Sequence, residues 1–242
     1  MQKFSIALSF SVAALGLAAC GSSSESTSVI EEPIIEEPTE ELNFATIYAE
    51  AQRLQTLEGY ATLPDGLRSR IDAFVAAGDT GLEPMEPVRN DTGEYAGAFA
   101  AGMGTVGLLT ESELSDIDFI WGDLNMAANF LDGSLDGALT PTGFRASADD
   151  LSLEASMEGN VTFQGSISGA SMTAEIQPGS NITWEPGTEF ELSGEVTGGQ
   201  IDGFFSGNNS ETAAGGVAFE VDWEHLDDGN PIYEGGWIAN EE

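Results

Sequence analysis

The spacing of apolar positions changes twice along the chain, and each change marks a boundary. Residues 4–14 are apolar apart from serine and follow the cationic start Met1-Gln2-Lys3. From Gly21 to Glu41 no apolar period survives: Ser22-Ser23-Ser24 leads into Ile30-Glu31-Glu32-Pro33, nearly repeated as Ile35-Glu36-Glu37-Pro38. Between Asn43 and Ala77 the period becomes helical, with Phe44, Ile47, Ala51, Leu54 and Leu57 three or four positions apart. A second run of Leu67, Ile71, Phe74 and Val75 comes after Pro64 at a helix start and meets Gly78 as a natural stop. Two short amphipathic helices are predicted, packed on the strands C-terminal to them.

After Arg89 the period is two. Glu94 to Ala100 reads as one strand, and Leu124, Met126, Ala128 and Phe130 alternate with polar or small residues in the next. Leu135/Gly137/Leu139, Leu151/Leu153/Ala155, Val161/Phe163/Gly165/Ile167 and Met172/Ala174/Ile176 continue the series. Phe190/Leu192/Gly194/Val196 and Val217/Phe219/Val221/Trp223 come next, and Tyr233 to Asn240 is placed to close the sheet. Asp132-Gly133, Pro178-Gly179, Pro186-Gly187 and Gly198-Gly199 supply turns between them. Eight or nine strands on short turns predict a mainly β fold: an eight-stranded, or nearly so, antiparallel up-and-down barrel with a small helical segment in front. Closure removes sheet edges, and a barrel of that size is filled by its own side chains. The runs are too short, and Trp and Tyr too few, for a barrel facing lipid. Phe204 and Phe205 are neighbours, so alternation sends only one of them inward.

The N-terminal pattern gains a meaning from one residue. Leu17-Ala18-Ala19-Cys20-Gly21 is similar to the lipobox of bacterial lipoproteins, and Cys20 is the only cysteine in the chain. The apolar stretch is too short for a comfortable membrane span, and small residues before Cys20 admit a peptidase. The expected organisation is a signal peptide over 1–19, an acidic Ser/Glu/Pro tether over 20–42, a helical segment over 43–90 and the barrel over 91–242. Cys20 is the expected lipidation site, and the tether a solvated spacer, too polar and proline-rich to bury a core. Gly21, rather than Asp, after the cysteine resembles lipoproteins sent to the outer membrane, so an outer-membrane, lipid-anchored location at the cell surface is expected.

Composition narrows function. Of 242 residues, 6 are Lys or Arg and 42 are Asp or Glu, for a net charge of −36. Such a field repels nucleic acid and phosphate-rich ligands. One Cys and one His exclude a disulfide framework and Cys-based metal clusters and disfavour a Ser-His-Asp machine. Acidic pairs arise by chance among so many carboxylates, and no phosphate loop or dinucleotide fingerprint occurs. No enzymatic activity and no cofactor are expected.

Three residues are candidates for ligand contact. Trp184, within Ile182-Thr183-Trp184-Glu185-Pro186, is expected on a loop, either as an anchor for a partner or folded over the barrel mouth. Trp223 ends an alternating strand, and His225 lies just beyond it, either as a haem-iron ligand or as a plain surface residue. Asp227-Asp228-Gly229-Asn230 lacks the alternating ligands of a calcium loop and reads as a turn. Arg53, Arg68, Arg70 and Arg89 lie in or just after the helical segment, which either caps a barrel end or offers a ligand-contacting patch. No Lys or Arg occurs beyond Arg145, so a partner of the barrel loops should carry a basic surface.

Three further segments carry a family resemblance. Glu94-Tyr95-Ala96-Gly97 looks like an opening Ala-x-Tyr-x-Gly strand. Leu124 to Gly137 is similar to a strand ending in Asp-Phe with a Gly-containing return strand, with Asn129 in place of the usual Asp. Gly203-Phe204-Phe205-Ser206-Gly207, then Glu211 and Gly215-Gly216-Val217-Ala218-Phe219, resembles Gly-x-Phe-Tyr-Gly, an acidic residue, Gly-Gly and a strand. Together they resemble the β-barrel domain of transferrin-binding protein B and the related transferrin-binding-like solute-binding surface lipoproteins, from about Tyr95 onward. The closing Gly235-Gly236-Trp237-Ile238-Ala239-Asn240 departs from the family's Gly-x-Phe-Gly-Ala. The chain has room for one barrel only. The resemblance implies an outer-membrane-anchored lipoprotein whose barrel binds a solute or a host or environmental protein, in iron or haem acquisition. The alternative is a non-catalytic adhesion or structural lipoprotein without a solute ligand. The expected partners are a bilayer, through acylated Cys20, and a protein or small solute, the barrel acting as a monomer.

Overall fold

A computed structural model describes residues 43–87, 89, 91–103, 114, 117–146, 154–189, 191–224 and 230–242. Two helices, α1 (Phe44–Thr56) and α2 (Asp65–Asp79), are joined through a 3-10 turn (Glu58–Thr62). Ten strands come after them: β1 (Thr92–Met103), β2 (Phe119–Asn129), β3 (Ser134–Arg145), β4 (Ala155–Gly159), β5 (Val161–Ser168), β6 (Ser171–Ile176), β7 (Ser180–Trp184), β8 (Leu192–Ser206), β9 (Thr212–Trp223) and β10 (Ile232–Glu241).

Every ladder is antiparallel, and the ladders form a ring. β1 pairs with β2 on one side and β10 on the other, and β2 continues to β3 and β10 to β9. Between β3 and β8 the ring has two lanes. The first half of β3 pairs with β5 and the second half with β4; the first half of β8 pairs with β7 and the second half with β6. β4 and β5 are therefore one long strand broken after Gly159, and β6 and β7 another, broken at Pro178-Gly179, where Gly179 has φ 91°. Taken as continuous, these make the expected eight-stranded up-and-down barrel.

Two expected strands begin outside the described residues, at Leu151/Leu153 and at Phe190, and only their later parts, in β4 and β8, are seen. The loop expected at Trp184 is corrected: Trp184 is the last residue of β7, opposite Met157 and Leu192. Its segment holds one buried residue, Ile182, between two Pro-Gly pairs, so the local pattern looks like a turn; β4 and β8 supply the pairing that makes it a strand.

Alternation divides two cores. Inward-facing Tyr95, Phe99, Phe163, Phe205, Phe219 and Trp237 are each at most 2% exposed and fill the barrel. Trp237 lies over Gly203, where an added Cβ would sit 2.5 Å from Trp237 Cζ2, and its Nε1 donates to the Gly216 carbonyl at 2.9 Å. The second core lies outside. Phe119, Trp121, Ala214 and Ile238 point outward from β2, β9 and β10 and are covered by Ile47, Leu54, Leu67, Ile71 and Phe74 of the helices. The helices thus pack on the outer wall and do not cap a barrel end, because these strands present an apolar outer stripe for the apolar helix faces to bury.

Local chemistry sets the helix ends. Asn43 caps α1, its Oδ1 accepting from Ala45 N at 2.9 Å. α2 runs one residue past the expected stop at Gly78. The reason for that glycine is close approach: a Cβ there would lie 2.2 Å from Tyr48 Cε2 on α1. The left-handed residue that ends the turn is Gly81, with φ 77°.

The two barrel ends differ. One carries the short turns at 130–133, 169–170 and 207–211; the connections β1–β2, β3–β4, β7–β8 and β9–β10 all join the other. The helical layer enters and leaves at the short-turn end. Phe44 meets Phe204 near the end of β8 (centroids 5.1 Å, edge-on), and Met85 N donates to the Phe205 carbonyl at 2.9 Å. Arg89 fastens the same end. It bonds Asp91 at 2.6 Å, pairs with Glu241 and lies 5.2 Å over the Phe130 ring. These carboxylates raise its pKa further. Beneath it the Tyr95 hydroxyl donates to the Ser210 carbonyl at 2.7 Å.

Candidate functional site

Two of the candidate ligand residues meet at the end that carries the longer connections. Phe144, at the end of β3, lies between Trp184 at the end of β7 (centroids 5.5 Å) and Trp223 at the end of β9 (5.9 Å). The ladder β3–β4–β7–β8–β9, curved into the barrel, brings these three strand ends together. Trp223 is 4% exposed and turned inward, its Nε1 donating to the Tyr233 hydroxyl at 3.1 Å. Burial is the main cause that raises the Tyr233 pKa, so the pair stays neutral and knits β9 to β10. Trp184 is only partly buried, packed against the core with Leu192. Its Nε1 is shielded from solvent and has no acceptor. An indole N–H left in that state costs about 1–3 kcal/mol.

The backbone beyond Trp184 is tightly specified. Glu185 has φ 46°, an uncommon conformation for a residue with a Cβ, and Gly187 has φ 79°. Glu185 N donates to the Ser156 carbonyl at 2.9 Å, Thr188 Oγ1 to the Glu185 carbonyl at 3.0 Å, and Gly187 N to Glu191 Oε2 at 2.6 Å. Glu185, Glu189 and Glu191 come after Trp184, and exposed Glu224 after Trp223. Glu185 is partly buried and the other three are exposed, so the segments that come just after these two strand ends are acidic. The last cation along the chain is Arg145, 1% exposed, donating to the Leu114 and Ile117 carbonyls at 3.1 and 2.7 Å. Burial lowers its pKa, against the opposing influence of Asp118.

The arginines of the helical segment do not converge. Arg53 pairs with Glu50 at 2.5 Å and Arg68 with Asp65; Arg70 bonds Asp123 and the Gly122 carbonyl, each at 2.9 Å; Arg89 is the end fastener. No shared cationic patch forms from them. Cys20, His225 and the 227–229 part of the Asp-Asp-Gly-Asn turn lie outside the described residues. Among the described residues no three His, Cys, Asp or Glu side chains converge on a common metal position.

Sequence reasoning did not find Phe144 or Glu185. Gly143, Phe144 and Arg145 are all buried, so the two-residue period that reveals strands stops there. Glu185 is marked only by its backbone angle. Two surface hollows lie away from the mouth. One, of about 50 Å³, sits between the helices and the wall beside Phe74 and Gly236; the other, about 300 Å³ and open, lies beside Asn43, Phe44, Pro84 and Phe204.

The barrel with an outer helical layer is the class this fold defines. No family model matches the chain, and no curated protein matches it. Among solved structures it is similar to a tryptophan-to-alanine mutant of the vaccine antigen transferrin-binding protein B from Haemophilus parasuis Hp5, at 13% identity and a TM-score of 0.34, covering 66% of this chain and 29% of that one. It is similar to intact Ap-TbpB, with N and C lobes, at the same identity and TM-score, covering 66% of this chain and 28% of that one. The chain spans less than a third of either structure, and the likeness is a weak, fold-level one.

Proposed function

We propose that the chain is a lipid-anchored, non-catalytic binding protein that holds a partner protein at the mouth formed by Trp184 and Phe144. The observation that carries this is the polarity of the barrel. Its interior is filled by its own aromatic side chains, which leaves recognition to the surface. The longer connections and the aromatic mouth occupy the end opposite the one where the chain enters at Asn43. A tether of 20–42 is up to about 80 Å long when extended, and it joins the fold at the short-turn end. Lipidation of Cys20 and outer-membrane location rest on the lipobox-like residues. The three motif segments, which lie in β1, β2–β3 and β8–β9, support iron or haem acquisition as the setting.

A photo-crosslinking residue at Thr188, and another at Asp132 on the opposite end, test this on cells carrying the full chain. Crosslinks to a protein from Thr188 and none from Asp132 are expected. Crosslinks from Asp132 alone, or a small molecule retained in native mass spectrometry with none from Thr188, overturn it.

A further inference from the structure

The mouth has chemistry that selects among partners. Trp184 offers a partly exposed indole, and a tryptophan face is the best aromatic seat for a cation. Glu185, Glu189 and Glu191 come just after it in the β7–β8 connection, Glu224 comes just after Trp223, and no Lys or Arg occurs after Arg145, which is itself buried. Phe144, behind the indole, is 6% exposed and held between two rings, so the platform is set before a ligand arrives. The shielded Nε1 without an acceptor adds an independent observation. A small turn of the indole toward solvent would let that N–H meet an acceptor brought by a ligand, such as a peptide carbonyl. A cation that comes with a neighbouring carbonyl is a Lys or Arg side chain on a polypeptide, whereas a free metal ion or an amine lacks the acceptor.

Resting on the partner-binding role proposed for this mouth, we infer that Trp184, with these glutamates, is a seat for an Arg or Lys side chain of a basic protein segment. The guanidinium or ammonium lies over the indole face, the carboxylates pair with neighbouring basic groups, and the partner's backbone accepts from Nε1. Interface hot spots are enriched in Trp and Arg, and hot spots tend to face one another across an interface.

The test uses the full chain and a peptide of alternating Gly and Arg, with a Gly-Glu peptide as control, measured by calorimetry at physiological salt and again at about 0.5 M, where the Debye length falls to roughly 4 Å. Trp184→Phe, which keeps an aromatic face but loses the Nε1 donor, should bind the Gly-Arg peptide about twofold to fivefold more weakly than the parent. Trp184→Leu, which keeps apolar bulk and removes the face, should bind about threefold to tenfold more weakly, with the difference persisting at high salt. Leu131→Ala, at the exposed tip of the opposite end, should change nothing. Equal affinity of parent and Trp184→Leu overturns the inference, because attraction is then only that of bulk charge. A difference that vanishes at high salt does the same. The crosslinking experiment separates the two proposals. A neutral or acidic protein captured at Thr188 sinks the basic-segment inference and leaves partner binding at the mouth standing. No capture at Thr188, with the Trp184 effect present, sinks the cellular function and leaves the cation seat.

Discussion

Truncating Phe204 and Phe205 one at a time, each with and without Phe44, tests the two-core architecture at a single point. The residues are adjacent in β8 and face opposite ways. Phe205 is fully buried inside the barrel, with its ring 5.5 Å from Tyr95 and 4.9 Å from Phe130. Phe204 points outward, yet is only 8% exposed because Phe44 of α1 covers it. The simple expectation from alternation, one costly position and one cheap one, therefore needs revising. Phe205→Ala leaves a cavity in a packed interior and should cost about 3–5 kcal/mol. Phe204→Ala loses burial of about 1.5–3 kcal/mol. It should incur little cavity penalty, because the open hollow beside Asn43 and Pro84 admits water. The Phe44–Phe204 contact should appear as a coupling of about 0.5–1.5 kcal/mol, so Phe204→Ala costs less by that amount once Phe44 is already Ala. Phe205→Ala and Phe44→Ala, on opposite faces of the wall, should add within about 0.5 kcal/mol. Urea titrations monitored by circular dichroism, with m-values compared, measure all of these. Coupling of Phe44 to Phe205 in place of Phe204, or equal costs for Phe204 and Phe205 in both backgrounds, would refute the assignment of inner and outer faces.

Three further outcomes are expected. Cys20→Ala should release the protein from membranes in detergent partitioning with its melting temperature unchanged, since anchor and barrel are separate in sequence; continued membrane partitioning would reject the lipobox. Gly78→Ala, which on helix propensity alone would stabilise by about 1 kcal/mol, should lower the melting temperature because its Cβ meets the Tyr48 ring. Hydrogen bonds from Ser134 hold the Asp132 pKa below its ordinary value. Its carboxylate should therefore stay ionised as pH falls through the usual Asp range, contribute to the β2–β3 turn above that range, and lose the contribution only as pH drops through its lower folded value. A carbon-detected NMR titration tracks it, and a midpoint at the ordinary value would contradict the turn geometry.

The barrel was legible because period two, once established after Arg89, is interrupted by glycine and proline at intervals that suit short turns. What stayed hidden depends on contacts distant in sequence. Trp184 becomes a strand residue only through Met157 and Leu192. The helices read clearly as amphipathic, but their seat on the outer wall depends on Phe119, Trp121 and Ile238 occupying outward positions, and that placement is visible only once register is known. Of the aromatic mouth, Trp184 and Trp223 stood out by residue type, whereas Phe144, which joins them, sits in a run of three buried residues with no alternation to reveal it. The helical arginines looked like a cluster in sequence and are dispersed in space, because each is neutralised by a carboxylate of its own.

The pairing of β1 with β10 has a bearing on the order of events during synthesis. Tyr95 faces Glu241 and Met103 faces Tyr233, contacts spanning about 130–146 positions of chain. A ribosome delivers α1 and α2 first, but the wall they cover includes Gly236 and Ile238 of the last strand. Until β10 is made, the helical layer lacks part of its seat and β1 has one unpaired edge. Neither core can close locally and then wait for the other. Folding of both cores is thus held back until β10 has been made, and loop closure over such distances is slow, so the nascent helices and β1 stay without their partners until then.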